Sequence, residues 1–170
     1  MATKGKLVFF CGKMGAGKTT LSKMIARDQN AILLAEDEWL SSHYPKQINT
    51  FDDYLKYSSQ IKPFVRTLVS NMLSTGADVV LDFPGNTKNQ RQWFLTLSDS
   101  TGSEHEMIYV NPGNEKCLAH IKKRGSEHPE RAQFDTEDMF NAVSKYFEEP
   151  SESEGLNICL LYTSPSPRDS

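Results

Sequence analysis

The chain has 170 residues and a formal net charge of −3, so it suits one domain and excludes a global field that gathers nucleic acid, leaving only local basic patches. A chain of this length can bury roughly 70% of its unfolded surface, enough for an independent core. The three cysteines, Cys11, Cys117 and Cys159, lack zinc-ligand spacing, and there is no signal-peptide pattern, internal repeat or membrane-length apolar run; a cytoplasmic protein with reduced thiols is expected.

Leu7-Val8-Phe9-Phe10-Cys11 is a continuous apolar run, as expected of a strand buried on both faces. Gly12-Lys13-Met14-Gly15-Ala16-Gly17-Lys18-Thr19 follows, with Thr20 next, and matches the phosphate-binding loop pattern at every position. The glycines let the backbone curl until successive N–H groups converge on a phosphate, and the helix that begins near Lys18 adds its positive dipole end. Lys18 can reach the β- and γ-phosphates, and the Thr19 hydroxyl can bind Mg²⁺. A helix with Leu21, Met24 and Ile25 on one face is expected to fade near Asp28-Gln29-Asn30. Strand, loop and helix together imply a bound nucleoside triphosphate.

Ala31 to Ala35 reads as a second buried strand ending at Glu36-Asp37-Glu38-Trp39. Ligands in open α/β sheets sit beyond the carboxyl ends of strands, so Asp37 is the candidate to take a proton from an acceptor hydroxyl, with Glu36 or Glu38 as substitutes. The other reading is a solvated acidic turn that caps the next helix. From Phe51 to about Ser74 the pattern is helical, with Tyr54, Leu55, Ser58, Ile61, Val65, Leu68, Val69 and Met72 in one stripe. Pro63 interrupts it, so two helices or one kinked helix are expected. Tyr44, Tyr54 and Tyr57 either line an acceptor pocket or belong to the core.

Ala77 to Asp82 is the third strand, and Asp82 at its end is the candidate metal-side carboxylate, unless it caps the helix after Asn86-Thr87. Asp82-Phe83-Pro84-Gly85 also fits the short Asp-x-x-Gly switch motif, although no guanine-reading motif follows. A helix over 88–97 carries Arg91, either an anion holder or a solvated cation. Glu106 to Val110 is the fourth strand, and a helix runs from Asn114 to Arg124. The polar stretch 125–131, flanked by Lys123, Arg124 and Arg131, suits a lid whose arginines close over the transferring phosphoryl group, the competing account being a helix-end cation cluster. A last helix, about Thr136 to Phe147, buries Met139, Phe140, Val143 and Phe147, and the four histidines are expected at the surface.

The loop at 12–19, Asp37, Asp82-x-x-x-x-Thr87, Arg91-Gln92-Trp93 and Arg124 together resemble one group of P-loop kinases. That group includes zeta toxins, chloramphenicol phosphotransferase, the polynucleotide 5′-kinase domain and uncharacterised AAA-type ATP-binding proteins. The stretch Phe134 to Asn157 resembles the end of such uncharacterised members, so the resemblance covers about residues 5–158. It implies an α/β fold, a parallel sheet of about five strands with helices on both faces and a small lid, and it places the metal-side strand beside the phosphate-loop strand. It also implies Asp37 as acceptor-side base, Arg124 as phosphate-contacting lid arginine and Arg131 as a second one. The chain is too short for the two-part module of AAA+ machines.

Residues 1–158 are therefore read as the kinase domain. Residues 159–170, with Pro165 and Pro167, resemble a translated sequencing-adapter read-through and are expected to be a non-native or disordered tail, though Ile158 to Tyr162 could form an accidental fifth strand. The expected activity is transfer of the γ-phosphoryl group of ATP to a hydroxyl acceptor, with Mg²⁺ on Thr19 and Asp82. A nucleic-acid end, a nucleotide sugar, an antibiotic and a small metabolite all fit as acceptor; no membrane or obligate protein partner is implied. The alternatives are an NTP-binding regulatory module without an acceptor and an ATP-coupled subunit of a larger machine.

Overall fold

Alternation along the first strand divides the core between the two faces of the sheet. Leu7, Phe9 and Cys11 of β1 (Leu7–Cys11) point to one face, and Val8 and Phe10 point to the other, all essentially without solvent exposure. A strand buried on both sides must be apolar throughout, and this one is. The computed structural model describes residues 3–129 and 135–161.

The other strands are β2 (Ile32–Ala35), β3 (Val79–Asp82), β4 (His105–Val110) and β5 (Ile158–Leu161). They form one parallel sheet in the order β2-β3-β1-β4-β5. Parallel neighbours need crossovers, which the helices α1 (Lys18–Asp28), α2 (Glu36–His43), α3 (Phe51–Ser74), α4 (Lys88–Thr101), α5 (Asn114–Glu127) and α6 (Glu137–Ser144) supply. On one face, Ile61, Val65, Val69 and Leu73 of α3 and Phe94 and Leu97 of α4 form one cluster with Phe9, whose ring stacks on Phe94. On the other, Ala26 of α1, Cys117 and Ile121 of α5 and Phe140 of α6 form one cluster with Phe10. Each fully buried Leu or Phe contributes on the order of 1.5–3 kcal/mol.

Several local expectations change in this setting. Of the two readings of the Pro63 segment, the single helix is the one that forms, with Pro63 inside α3. On α1, Met24 is exposed, and Ser22 and Ala26 are the buried residues because the helix lies close on the sheet and only small side chains fit. The helix read over 88–97 continues to Thr101, and the one read to Arg124 continues to Glu127, so α5 takes in the first residues of the expected lid. Of the last helix only Glu137–Ser144 forms, and Phe147 instead packs against the α3–α4 side of the core. β5 pairs in register with β4 (Met107 opposite Ile158, Val110 opposite Leu161), so the fifth strand runs past residue 158. No helix among the described residues is long and apolar enough to cross a membrane.

Candidate active site

The loop after β1 is tight for steric reasons. Gly15 (φ 79°) lies against α5, where an added Cβ would meet the Cys117 carbonyl oxygen at 2.4 Å. Gly17 (φ 100°) ends the loop in the left-handed region and precedes α1, which has no side-chain cap. The uncapped first-turn N–H groups are what an anion requires. Inside the loop the Ala16 N–H donates to the Lys13 carbonyl (3.0 Å), and the Lys18 ammonium donates to the Gly12 carbonyl. Burial lowers the Lys18 pKa, against the opposing pull of Cys11, Asp82 and Asp37.

Sheet order brings the remaining candidates together. β3 lies beside β1, and β2 beside β3, with Ala35 in register with Asp82. Asp82 therefore ends its strand next to the phosphate loop, and Asp37 begins α2 one strand further along. Burial raises the Asp82 carboxyl, and the neighbouring Thr19 hydroxyl and the charge of Lys18 oppose that rise; the Ser22 hydroxyl donates to the Thr19 carbonyl at 2.8 Å. Asp82 does not cap α4, because Thr87 does so in a reciprocal box with Gln90. No cluster of three or more His, Cys, Asp or Glu ligands exists among the described residues. One carboxylate and one hydroxyl nevertheless suit Mg²⁺, which takes few protein ligands and completes its shell with phosphate and water.

Glu36 and Asp37 are neighbours with different surroundings. Asp37 is exposed in the first turn of α2. Glu36 is buried, accepting hydrogen bonds from the Tyr54 hydroxyl and from Ser58 Oγ (2.7 Å); burial raises its carboxyl despite both. Tyr54 is therefore committed to Glu36, while Tyr44 packs on Tyr57 with ring centroids 4.3 Å apart and reaches Gln60 at 3.2 Å. The three tyrosines are partly buried against the α3 side of the core.

Arg91 holds no anion from solvent and is not solvated. Its guanidinium is completely buried, forks onto Glu154 (2.7 and 3.1 Å) and donates to the Gly85 carbonyl at 3.0 Å. A carboxylate 63 residues downstream supplies its partner, which no local pattern could have revealed. Arg124 forks onto the buried Asp135 carboxylate (3.1 and 2.8 Å), and its side chain is 34% exposed. Arg131 lies outside the described residues. His120 is exposed but contacts the Gly15 carbonyl through Nδ1 at 2.7 Å, and Asn86 accepts the Gly12 N–H. The sequence reading assigned neither residue to the loop.

A cavity of about 350 Å³ opens beyond the end of β4, lined by Lys13, Asn111, Asn114, Phe147 and Glu149 among others. In the sheet order it lies across the phosphate loop from Asp82 and Asp37, away from the candidate acceptor carboxylates.

A parallel five-stranded sheet, a phosphate loop at the end of its central strand β1 and carboxylates at the ends of β3 and β2, the next two strands on one side, define a nucleotide-binding P-loop domain of kinase-like fold. The chain belongs to the AAA domain family, whose match spans residues 7–150. A search of the curated proteins finds no match. Among solved structures, a putative kinase from Chloroflexus aurantiacus is similar at 16% identity and a TM-score of 0.74, over 95% of this chain and 89% of that one. The Mycobacterium tuberculosis APS kinase CysC, in complex with AMPPNP and APS, is similar at 14% identity and 0.66, over 96% and 91%. Chaetomium thermophilum Kti12, in complex with ADP-AlF3, is similar at 17% and 0.65, over 93% and 89%. At these identities the likeness is one of fold.

Proposed function

We propose that this protein is an ATP-dependent phosphotransferase that moves the γ-phosphoryl group to a hydroxyl acceptor. The supporting observation is the convergence of Lys18, the Thr19–Asp82 pair and Asp37 at the carboxyl edge of three adjacent strands. The kinase folds of the similar structures agree with it, and one of them holds both a nucleotide analogue and an acceptor.

In this reading residues 12–20 wrap the phosphates, and Lys18 exchanges the Gly12 carbonyl for phosphate oxygens. Thr19 and Asp82 are the residues that would hold Mg²⁺, which would supply charge neutralisation at the phosphates when bound. Asp37 orients the acceptor hydroxyl and takes its proton as the oxygen attacks. In-line displacement puts acceptor and leaving nucleotide on opposite sides of the γ-phosphate, so the nucleoside is directed toward the cavity beyond β4. Arg124 joins the phosphates through the guanidinium edge that Asp135 leaves unused; Arg131 has the lesser role.

The aspartates are separable. Asp82→Asn should raise the Mg²⁺ requirement and slow all ATP turnover. Asp37→Asn should leave Mg-ATP affinity within about twofold and lower transfer by roughly 10²-fold or more, since a general base contributes 10²–10⁴. Measuring ATP affinity, hydrolysis and transfer across a panel of hydroxyl acceptors, including RNA and DNA 5′ ends, checks both. Transfer at the wild-type rate in Asp37→Asn overturns the base assignment and favours a regulatory NTP-binding module.

A further inference from the structure

The connection between β3 and α4 carries Asn86, four residues past Asp82, whose side-chain oxygen, N–H and carbonyl each bond a different part of the molecule. Its Oδ1 accepts the Gly12 N–H at 2.9 Å, across 74 residues of sequence. Its own N–H donates to Gln90 Oε1 at 2.8 Å, and its carbonyl accepts the Glu148 N–H at 2.8 Å. The preceding residue is pressed onto the same strand end: an added Cβ on Gly85 would lie 2.3 Å from the Phe10 carbonyl oxygen, and Arg91 donates to the Gly85 carbonyl at 3.0 Å.

We infer that Asn86 is a positioning residue for the phosphate loop, fixing the point from which the loop curls and tying it to the segment that follows α6. The inference rests on the nucleotide-binding reading of that loop. The Cys11–Gly12 peptide is oriented by Asn86, and the next peptide by Lys18, which takes the Gly12 carbonyl. With these two planes set, the N–H groups further along the loop face the phosphate site before any phosphate arrives, so less ordering remains for binding to supply. Asn86 touches no phosphate itself. Its effect runs through Gly12 and appears as nucleotide affinity.

The test combines amide hydrogen exchange over residues 8–20 in the nucleotide-free protein with titration of Mg-ADP. In Asn86→Ala, exchange at the start of the loop should accelerate and the Mg-ADP dissociation constant should rise about tenfold, as expected when a part-buried N–H loses its acceptor. Asn86→Asp keeps an acceptor oxygen and should retain wild-type protection, whatever its charge does to affinity. Should Asn86→Ala fail to fold, Gln90→Ala frees the Asn86 backbone and should give the same two changes at about threefold. Unchanged exchange in Asn86→Ala, or in Gln90→Ala if that variant is used, overturns the inference, as does an Asn86→Asp protein exchanging as fast as Asn86→Ala. A wild-type protein that does not bind Mg-ADP overturns the nucleotide reading instead, and the exchange measurement still decides the role of Asn86.

Discussion

Glu36 and Asp37 are adjacent, yet one is enclosed by Tyr54 and Ser58 while the other is exposed in the first turn of its helix. The fold disfavours the ionised form of Glu36, so its folded pKa lies above the ordinary 4.5. The folded state therefore binds the more protons in that window, and stability falls as pH rises from about 4.5 through the raised value. Below that window Glu36 is protonated in both states and contributes no cost. Glu36→Gln removes this charge at nearly constant shape, so the decline in thermal midpoint between pH 4.5 and neutrality should be smaller than in the wild type. Parallel melts of the two proteins across that range check it, and identical slopes would contradict the burial argument. Sequence could place both carboxylates at a strand end, but not say which was enclosed. That depends on α3 docking over the start of α2.

Secondary-structure elements are joined in ways their own patterns do not announce. Arg91 of α4 pairs with Glu154 in the one-turn 3-10 helix before β5, and burial of Glu154 is outweighed by the Arg91 hydrogen bonds and the Ser151 N–H, which hold its carboxyl below the ordinary range. Removing one partner of a buried pair leaves the other uncompensated, at a cost of about 3–5 kcal/mol. Glu154→Ala should therefore lower the urea unfolding midpoint strongly. Arg91→Met/Glu154→Leu should recover much of that loss, because an apolar replacement carries no stranded charge, although the Gly85 carbonyl loses its donor. Equal destabilisation of the single and double variants would show that packing, not charge pairing, holds this junction. The contrast within α4 is one of range: Thr87 with Gln90 is a local box of four residues, whereas Arg91 needed a partner 63 residues downstream.

At the scale of the whole molecule, the phosphate loop couples both faces of the core to ligand. Gly15 abuts α5 on one side, and Gly85 and Asn86 hold the loop's origin beside α4 on the other. A ligand that binds only this folded arrangement stabilises the entire domain, by about 2.7 kcal/mol at a hundredfold excess over its dissociation constant. For a domain of this size that corresponds to a rise in thermal midpoint of roughly 5–11 °C with Mg-ATP. Lys18→Ala should lose most of the shift while its ligand-free midpoint stays close to that of the wild type, since the ammonium meets the Gly12 carbonyl and not the core. Differential scanning calorimetry of both proteins with and without Mg-ATP checks this, and a full shift in the variant would count against the phosphate-loop role of Lys18.

The sequence by itself determined the phosphate loop, the strand before it, the helix after it and the alternation of strands and helices that makes a parallel sheet. Those signals are local: a glycine spacing, an apolar run, a 3.6-residue stripe. The place of Asp82 at the end of an apolar strand was legible in the same way. Only the tertiary structure decided that Glu36 is enclosed, that Arg91 belongs to Glu154, that Arg124 rests on Asp135, and that Asn86 and His120 hold the loop. In each of those cases a polar group took a partner eleven or more residues away because tertiary packing, not chain order, set its neighbours, and for Glu36, Arg91 and Asp135 the burial that made the partner necessary exists only once the sheet is covered on both faces.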